Sequence, residues 1–283
     1  MELWSLSKIL HRFLVYDKIM KITNLYKEKD NTEFKNNALH KENGDIIDIT
    51  SELLVEHYTK VFINDQDTMS LVCTGKNLIE LVIGRLISEG LLKDLNDIES
   101  IYICEYGLKA RVYFIEGYSP FADMQSANDV ASCCSDNKSY FKTATKPDPI
   151  KPLIELNDKE IFKLAADFSS DSKIHKMTAG THAAYLYYEG ETITSFEDIG
   201  RHNALDKVIG YIYLNNLIPE KCIVFTTGRV PVDMARKAIY AKLAALVSKS
   251  VPTADAVILA KEYNLNLVCR AWQDSYQIFN CAK

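Results

Sequence analysis

Two stretches of this 283-residue chain combine residue types that can do chemistry. One is Ser132-Cys133-Cys134-Ser135, two adjacent thiols in a polar segment. Such thiols are not core packing, and neighbouring cysteines rarely bridge each other because that disulfide strains the peptide between them. They are candidate nucleophiles. The other stretch is Glu197–Lys207, E-D-I-G-R-H-N-A-L-D-K, where Asp198, Gly200, Arg201 and His202 crowd into one turn ahead of Lys207. Gly200 there permits backbone angles that a side chain resists and lets N–H groups approach a ligand. A helix start just beyond it offers unpaired donors and partial positive charge, which suits a phosphate. A turn capped by two salt bridges is the plainer reading, and the packing of so many ionisable types argues against it.

The elements that must hold these groups follow from periodicity. Glu191–Phe196 alternates as a strand, and Ala204, Leu205, Val208, Ile209 and Ile212 recur at helical spacing, predicting a helix from about Asn203. Val55–Ile63 and Thr68–Cys73 read as a hairpin about Asn64-Asp65, followed by an amphipathic helix from Leu78 to Gly90 and strands at Ile98–Cys104 and Ala110–Ile115. Periodicity is lost from Gly117 to Pro152, which predicts a long mobile loop carrying the two thiols. A helix is expected over Ile154–Phe168 with Asn157 or Asp158 as its cap, then a helix or strand edge at Ala183–Tyr188. Beyond the central turn come a strand at Cys222–Thr227, a helix at Pro231–Leu246, a strand at Ala244–Ser248, a helix at Ala254–Tyr263 and a closing strand at Leu265–Ala271. This alternation predicts a largely parallel sheet with a ligand crevice at the carboxyl ends of its strands.

The organisation expected is therefore a polar N-terminal extension over 1–45, a small α/β domain over 46–116, the loop over 117–152 and a larger domain over 153–283. Met20 offers an alternative start to the chain. Leu6, Ile9, Leu10, Phe13 and Leu14 are interrupted by Lys8, His11 and Arg12, unlike a signal peptide. No apolar window approaches a membrane span. A net charge of −5 gives no electrostatic reason to expect nucleic acid. The charge is uneven, with 12 Lys and Arg against 10 Asp and Glu from Lys176 onward and 21 against 28 before it, so the second half suits an anion better. Seven cysteines without a C-x-x-C pair argue against a disulfide framework and structural zinc, and for a reducing cytoplasm.

T-A-G-T-H at Thr178–His182, E-D-I-G-R-H-N-A-L-D-K-V-I-G at Glu197–Gly210, T-G-R at Thr227–Arg229 and V-P-T-A-D-A-V at Val251–Val257 occur in that order. Together they resemble the FdhD family, sulfur carrier proteins needed to make formate dehydrogenase active. The resemblance is clear from about Lys176 to Leu267 and traceable from about Val55 to Gly90. It implies a cytidine-deaminase-like α/β fold for the larger domain. It also implies a sulfurtransferase: a cysteine desulfurase loads a cysteine persulfide, and the sulfur passes to bis-molybdopterin guanine dinucleotide molybdenum cofactor before insertion into the formate dehydrogenase catalytic subunit. GDP is then a mimic of the bound cofactor, no metal is permanently held, and a homodimer is expected.

Carried over residue by residue, the resemblance places the reactive sulfur on Cys134, or on Cys133 if the register shifts by one. His182 and His202 become candidates for proton transfer. Gly180, Asp198, Gly200, Arg201, Lys207, Thr227, Gly228, Arg229 and Thr253 become cofactor-binding candidates, with Arg201 and Arg229 as bidentate phosphate partners. The second cysteine of the family's usual C-G-x-C-G is replaced by Asn137 or Asp136, and Ala179 stands where Gly is usual. At the end of the chain the usual Gly-Phe-x-Arg is Cys269-Arg270-Ala271-Trp272, so Arg270 is displaced and Trp272 is free to stack on a base. These departures keep open a non-catalytic chaperone that only holds cofactor or apo-enzyme. Zinc-dependent deamination is set aside, because His202 is followed by Asn-Ala where H-x-E is needed.

Overall fold

In a computed structural model, the residues described are 20–28, 34–121, 128–129, 138–139, 146–171 and 173–282. Lys21–Asn24 (β1), His57–Ile63 (β4), Gln66–Cys73 (β5), Ile98–Ile103 (β6) and Lys109–Phe114 (β7) form one sheet in the order β1-β6-β7-β4-β5. Asn64 and Asp65 both take positive φ, 46° and 65°, as the tight hairpin between β4 and β5 demands. One face of this sheet, including Val61, Ile63, Leu71, Ile101 and Val112, is buried against helix α1, Leu78–Ser88.

The second sheet contains His182–Tyr188 (β10), Glu191–Asp198 (β11), Ile223–Thr226 (β12), Ala245–Ser248 (β13), Asn266–Cys269 (β14) and Gln277–Asn280 (β15), in the order β11-β10-β12-β13-β14-β15. Only β12–β13 and β13–β14 pair in parallel, while β10–β11, β10–β12 and β14–β15 are antiparallel. The expectation of a mostly parallel sheet is corrected to a mixed one, because β10 and β11 join through the two-residue turn Glu189-Gly190 and β15 folds back on β14. The strand expected to close the sheet is thus internal.

Helices cover both faces. Asp158–Asp171 (α2) lays Ile161, Leu164 and Ala165 on Ala183, Tyr185, Phe225 and Val247, with Asn157 accepting from the Glu160 amide as its cap. On the other face lie Arg201–Leu214 (α4), Val232–Tyr240 (α5) and Ala254–Glu262 (α6). The short helix Lys173–Thr178 (α3) precedes β10. Helix α5 ends at Tyr240 rather than running to Leu246, because Lys242 turns left-handed at φ 54° and the Leu243 amide bonds back to Ala238 O.

The two sheets share one hydrophobic core through α1 and α4. Their crossing is set by two glycines. A Cβ on Gly84 would sit 1.7 Å from Asp206 O, and one on Gly210 would sit 1.9 Å from Glu80 O. Backbone therefore meets backbone, and only glycine fits at either position. A buried ionic cluster pins the same layer: Asp206 pairs with Lys237 at 2.8 Å and with Arg85 at 3.5 Å, while Glu89 meets Arg85 at 3.1 Å.

Within the polar N-terminal extension, the described residues 20–28 and 34–45 include strands. β1 adds to the first sheet in parallel with β6, and Phe34–Glu42 (β2) pairs with Asp45–Leu53 (β3) as a separate two-stranded hairpin. Asn128–Asp129 (β8) and Lys138–Ser139 (β9) form a two-residue ladder.

Candidate functional site

The carboxyl ends of β12, β13 and β14 open onto a cleft of about 460 Å³. Strand β10 runs opposite to β12, so it contributes its first residues to the same end. His175, Ala179, Gly180, Thr181 and His182 line one side, and Thr227, Lys249, Ser250 and Trp272 the other. Three separate stretches of sequence, whose site candidates the family resemblance supplied, thus meet at one place through Gly180 and His182, Thr227, and Trp272.

Local bonding fixes the walls. Thr227 is locked to β10, its amide donating to Ala183 O at 3.1 Å and its Oγ1 accepting from the Ala183 amide at 3.2 Å. That hydroxyl also lies 3.4 Å from His182 Nδ1. Burial, then the positive charge of Arg201 and the neighbouring His175 and His202 imidazoles, push the His182 pKa below its ordinary value. His182 is therefore a neutral imidazole near pH 7, able to accept a proton. His175 donates from Nδ1 to Thr181 O at 2.7 Å. Lys249 Nζ stands 4.7 Å over the Trp272 ring, an indole that is half exposed.

Arg201 and Gly228 form the wall behind His182. A Cβ on Gly228 would come 2.9 Å from Arg201 Cδ and 3.5 Å from His182 Nδ1, so a side chain there would displace the arginine. Arg229 and Arg270 are exposed on the neighbouring turns. Thr253 caps α6, its Oγ1 accepting from the Ala256 amide at 3.3 Å.

The central turn divides in two. Asp198 and Lys207 are fully buried and paired at 2.7 Å. Asp198 also accepts from the Thr74 amide and hydroxyl, the Gly200 amide and Asn203 Nδ2, and Lys207 donates to Thr74 Oγ1 at 2.8 Å. Both are buried in the framework and neither lines the cleft, and Asp206 lies in the ionic cluster. The negative charge that suits the start of α4 is supplied by Asp198 itself. Gly200 has φ −95°, an angle open to any residue, so the expected conformational reason for it is corrected; its bare Cα instead leaves room for Asn203 Nδ2, which a Cβ would meet at 3.2 Å.

His202 has a partner that sequence reasoning missed. Its Nε2 is 2.7 Å from Asp233 Oδ2, at the start of α5. Burial alone would raise that carboxyl's pKa, but the hydrogen bond and charge of His202, the Met234 amide and Arg201 together hold it at about 2. Asp233 reads in the sequence as a helix-start residue, and only the spatial return of α5 to α4 gives it a second role.

Cys133 and Cys134 lie outside the described residues. Among the described thiols, burial pushes Cys73, Cys222 and Cys269 up to about 12, with Asp198 adding to the effect at Cys73, so none of the three is a nucleophile near neutrality. Cys104 is half-buried and Cys281 exposed. No group of three or more His, Cys, Asp or Glu suited to a metal occurs among the described residues. None of the described helices is long and apolar enough to cross a membrane.

Comparison with known proteins turns on residues 54–283, which match the FdhD/NarQ family. The chain belongs to the FdhD/NarQ family. It is 31% identical to the sulfur carrier protein FdhD of Listeria monocytogenes serotype 4b over 80% of this chain and 88% of that one. The FdhD of Bacillus licheniformis is also 31% identical, over 84% of this chain and 91% of its own. In fold, the chain is similar to a crystal structure described as a formate dehydrogenase accessory protein from Desulfotalea psychrophila. That likeness has a TM-score of 0.68 at 23% identity and covers 88% of this chain and 96% of the other. The family match takes in every wall of the cleft, the whole of the second sheet and all of the first sheet except β1.

Proposed function

We propose that this chain is a sulfur carrier for formate dehydrogenase maturation. The observation that carries the reading is the convergence of Gly180, His182, Thr227 and Trp272 on one cleft in a chain of the FdhD/NarQ family. Its volume falls within the roughly 300–1,000 Å³ typical of small-molecule sites. It suits one nucleotide end of bis-molybdopterin guanine dinucleotide, the substrate, with Trp272 against the guanine and Arg201, Arg229 and Lys249 near the pyrophosphate. GDP is the corresponding mimic. Cys134 attacks the terminal sulfur of a cysteine desulfurase persulfide, displaces the donor thiolate and holds the sulfur as a persulfide. Neutral His182 and the His202–Asp233 pair manage protons when the sulfur is released toward the molybdenum. The acceptor enzyme is the formate dehydrogenase catalytic subunit, the working form is a homodimer, and the compartment is the cytoplasm.

Mass spectrometry after incubation with a cysteine desulfurase and cysteine tests this. Alkylation and peptide mapping should find one added sulfur on Cys134. Finding it on Cys133 alone would move the reactive position by one residue. GDP binding without sulfur on either cysteine would replace the carrier with a chaperone that only holds cofactor, the reading that Asn137 in place of a second cysteine favours.

A further inference from the structure

A third histidine lines the cleft, and the family resemblance assigns it no role. His175 stands on α3, across the cleft from Lys249 and Trp272. Its place is fixed at two points. Glu197 of β11 accepts from the Ile174 and His175 amides, each at 3.0 Å, and from Thr181 Oγ1 at 3.4 Å. The ring is braced separately, with Nδ1 donating to Thr181 O at 2.7 Å. A carbonyl oxygen only accepts, so Nδ1 keeps its proton in either charge state of the ring. Nε2 is then the nitrogen that gains or loses one.

The surroundings of the ring favour a cation once an anion arrives. Among the described residues that line the cleft there is no carboxylate. The charged and titratable groups on the elements around His175 are Glu197, Glu52 near the end of β3, Lys176 on α3 itself, His182 with Arg201 behind it, and Lys249 across the cleft. Histidine is the side chain that ordinarily changes charge between about pH 5 and 8, which leaves His175 and His182 as the candidates. They differ in setting. His182 is half-buried beside Arg201, and both effects keep it neutral, whereas His175 is exposed. A positive charge therefore costs less at His175, and a phosphate lying between it and Lys249 would stabilise that charge.

We infer that His175 is a binding residue of the cleft, and that its Nε2 takes up a proton as a phosphorylated ligand seats. The imidazolium and the Lys249 ammonium then hold the anion from two sides. The inference rests on the nucleotide reading of the cleft and adds regulation to it. Proton and ligand raise each other's affinity by the same factor, so binding tightens as pH falls.

Diguanosine pyrophosphate is the probe, because its pyrophosphate diester, unlike the terminal phosphate of GDP, does not itself titrate in this range. Calorimetry of the full chain at neutral pH, in two buffers of different ionisation enthalpy, should show uptake of a fraction of a proton. Affinity should rise about tenfold from pH 8 to pH 6. His175→Asn keeps an amide N–H for Thr181 O but removes Nε2, so the uptake should vanish. In the unaltered chain the His175 imidazole resonance, assigned by its loss in the variant, should titrate at higher pH with the probe bound. Binding without uptake, uptake unchanged in His175→Asn, or a His175 midpoint that the probe does not move overturns the inference and leaves the nucleotide reading standing. A probe that fails to bind at any pH overturns both.

Discussion

Asp233 and Ala179 show how much a single position decides in this molecule. The Asp233 carboxyl has a pKa of about 2 in the folded chain against 3.8 ordinarily. Its pairing with His202 is therefore present in full above about pH 4 and is lost as pH falls through about 2. Asp233→Asn should cost about 2 kcal/mol at neutral pH and only about 0.4 kcal/mol at pH 2, where the folded carboxyl is half protonated, read from urea unfolding at both values. An equal loss at both would show that the carboxylate charge plays no part. Ala179 occupies the left-handed region at φ 51°. A Cβ there costs roughly 1–2 kcal/mol, and glycine gives back about 0.4–1 through the unfolded chain. Ala179→Gly should then raise stability by about 0.5–1 kcal/mol, with a higher melting temperature as the readout. The sequence already marked Ala179 as a departure, because glycine is usual there in the family. Asp233 left no such mark, since a carboxylate in the first turn of a helix is explained by the helix dipole alone.

Among the elements, the α1–α4 crossing has no tolerance for volume. Gly84→Ala and Gly210→Ala each force two helix backbones apart, so each should cost about 3 kcal/mol or more. Thermal melts of the separate variants check this, and a loss below 1 kcal/mol in both would mean that the layers can slide. Helices α1 and α4 and the β4–β5 hairpin were legible beforehand because apolar residues recur at periods of 3.6 and 2 over enough length. Two failures have specific causes. The β2–β3 hairpin has Lys, Asn, Asp or Glu on eight of its eighteen strand positions, which hides its alternation. Yet Asn43-Gly44, at φ 51° and 95°, is a strong signature for a two-residue hairpin turn and would have revealed it. The β15 return on β14 left no signal, since Gln277–Asn280 is short and half polar.

For the molecule as a whole, the core cluster reaches from Val61 in the first sheet to Leu267 in the second without interruption. The two sheets should therefore unfold in one cooperative transition, with far-UV dichroism and tryptophan fluorescence giving coincident midpoints. Separate midpoints would show that the sheets are independent. The cleft position was readable from strand–turn–helix alternation, because ligands gather where strands end at their carboxyl side. Its inner lining was not, because burial decides whether an Asp or Lys in a motif faces a ligand or another residue. Asp198 and Lys207 face Thr74, from the far end of β5. That bond has a consequence for dynamics. The Thr74 amide directly follows β5 of the first sheet and its acceptor, Asp198, ends β11 under the cleft, 124 residues away. Its hydrogen can exchange with solvent only when those two regions part. The deuterium uptake of this one amide thus reports the free energy that holds the halves together, and ligand in the cleft should slow it further if binding tightens their union.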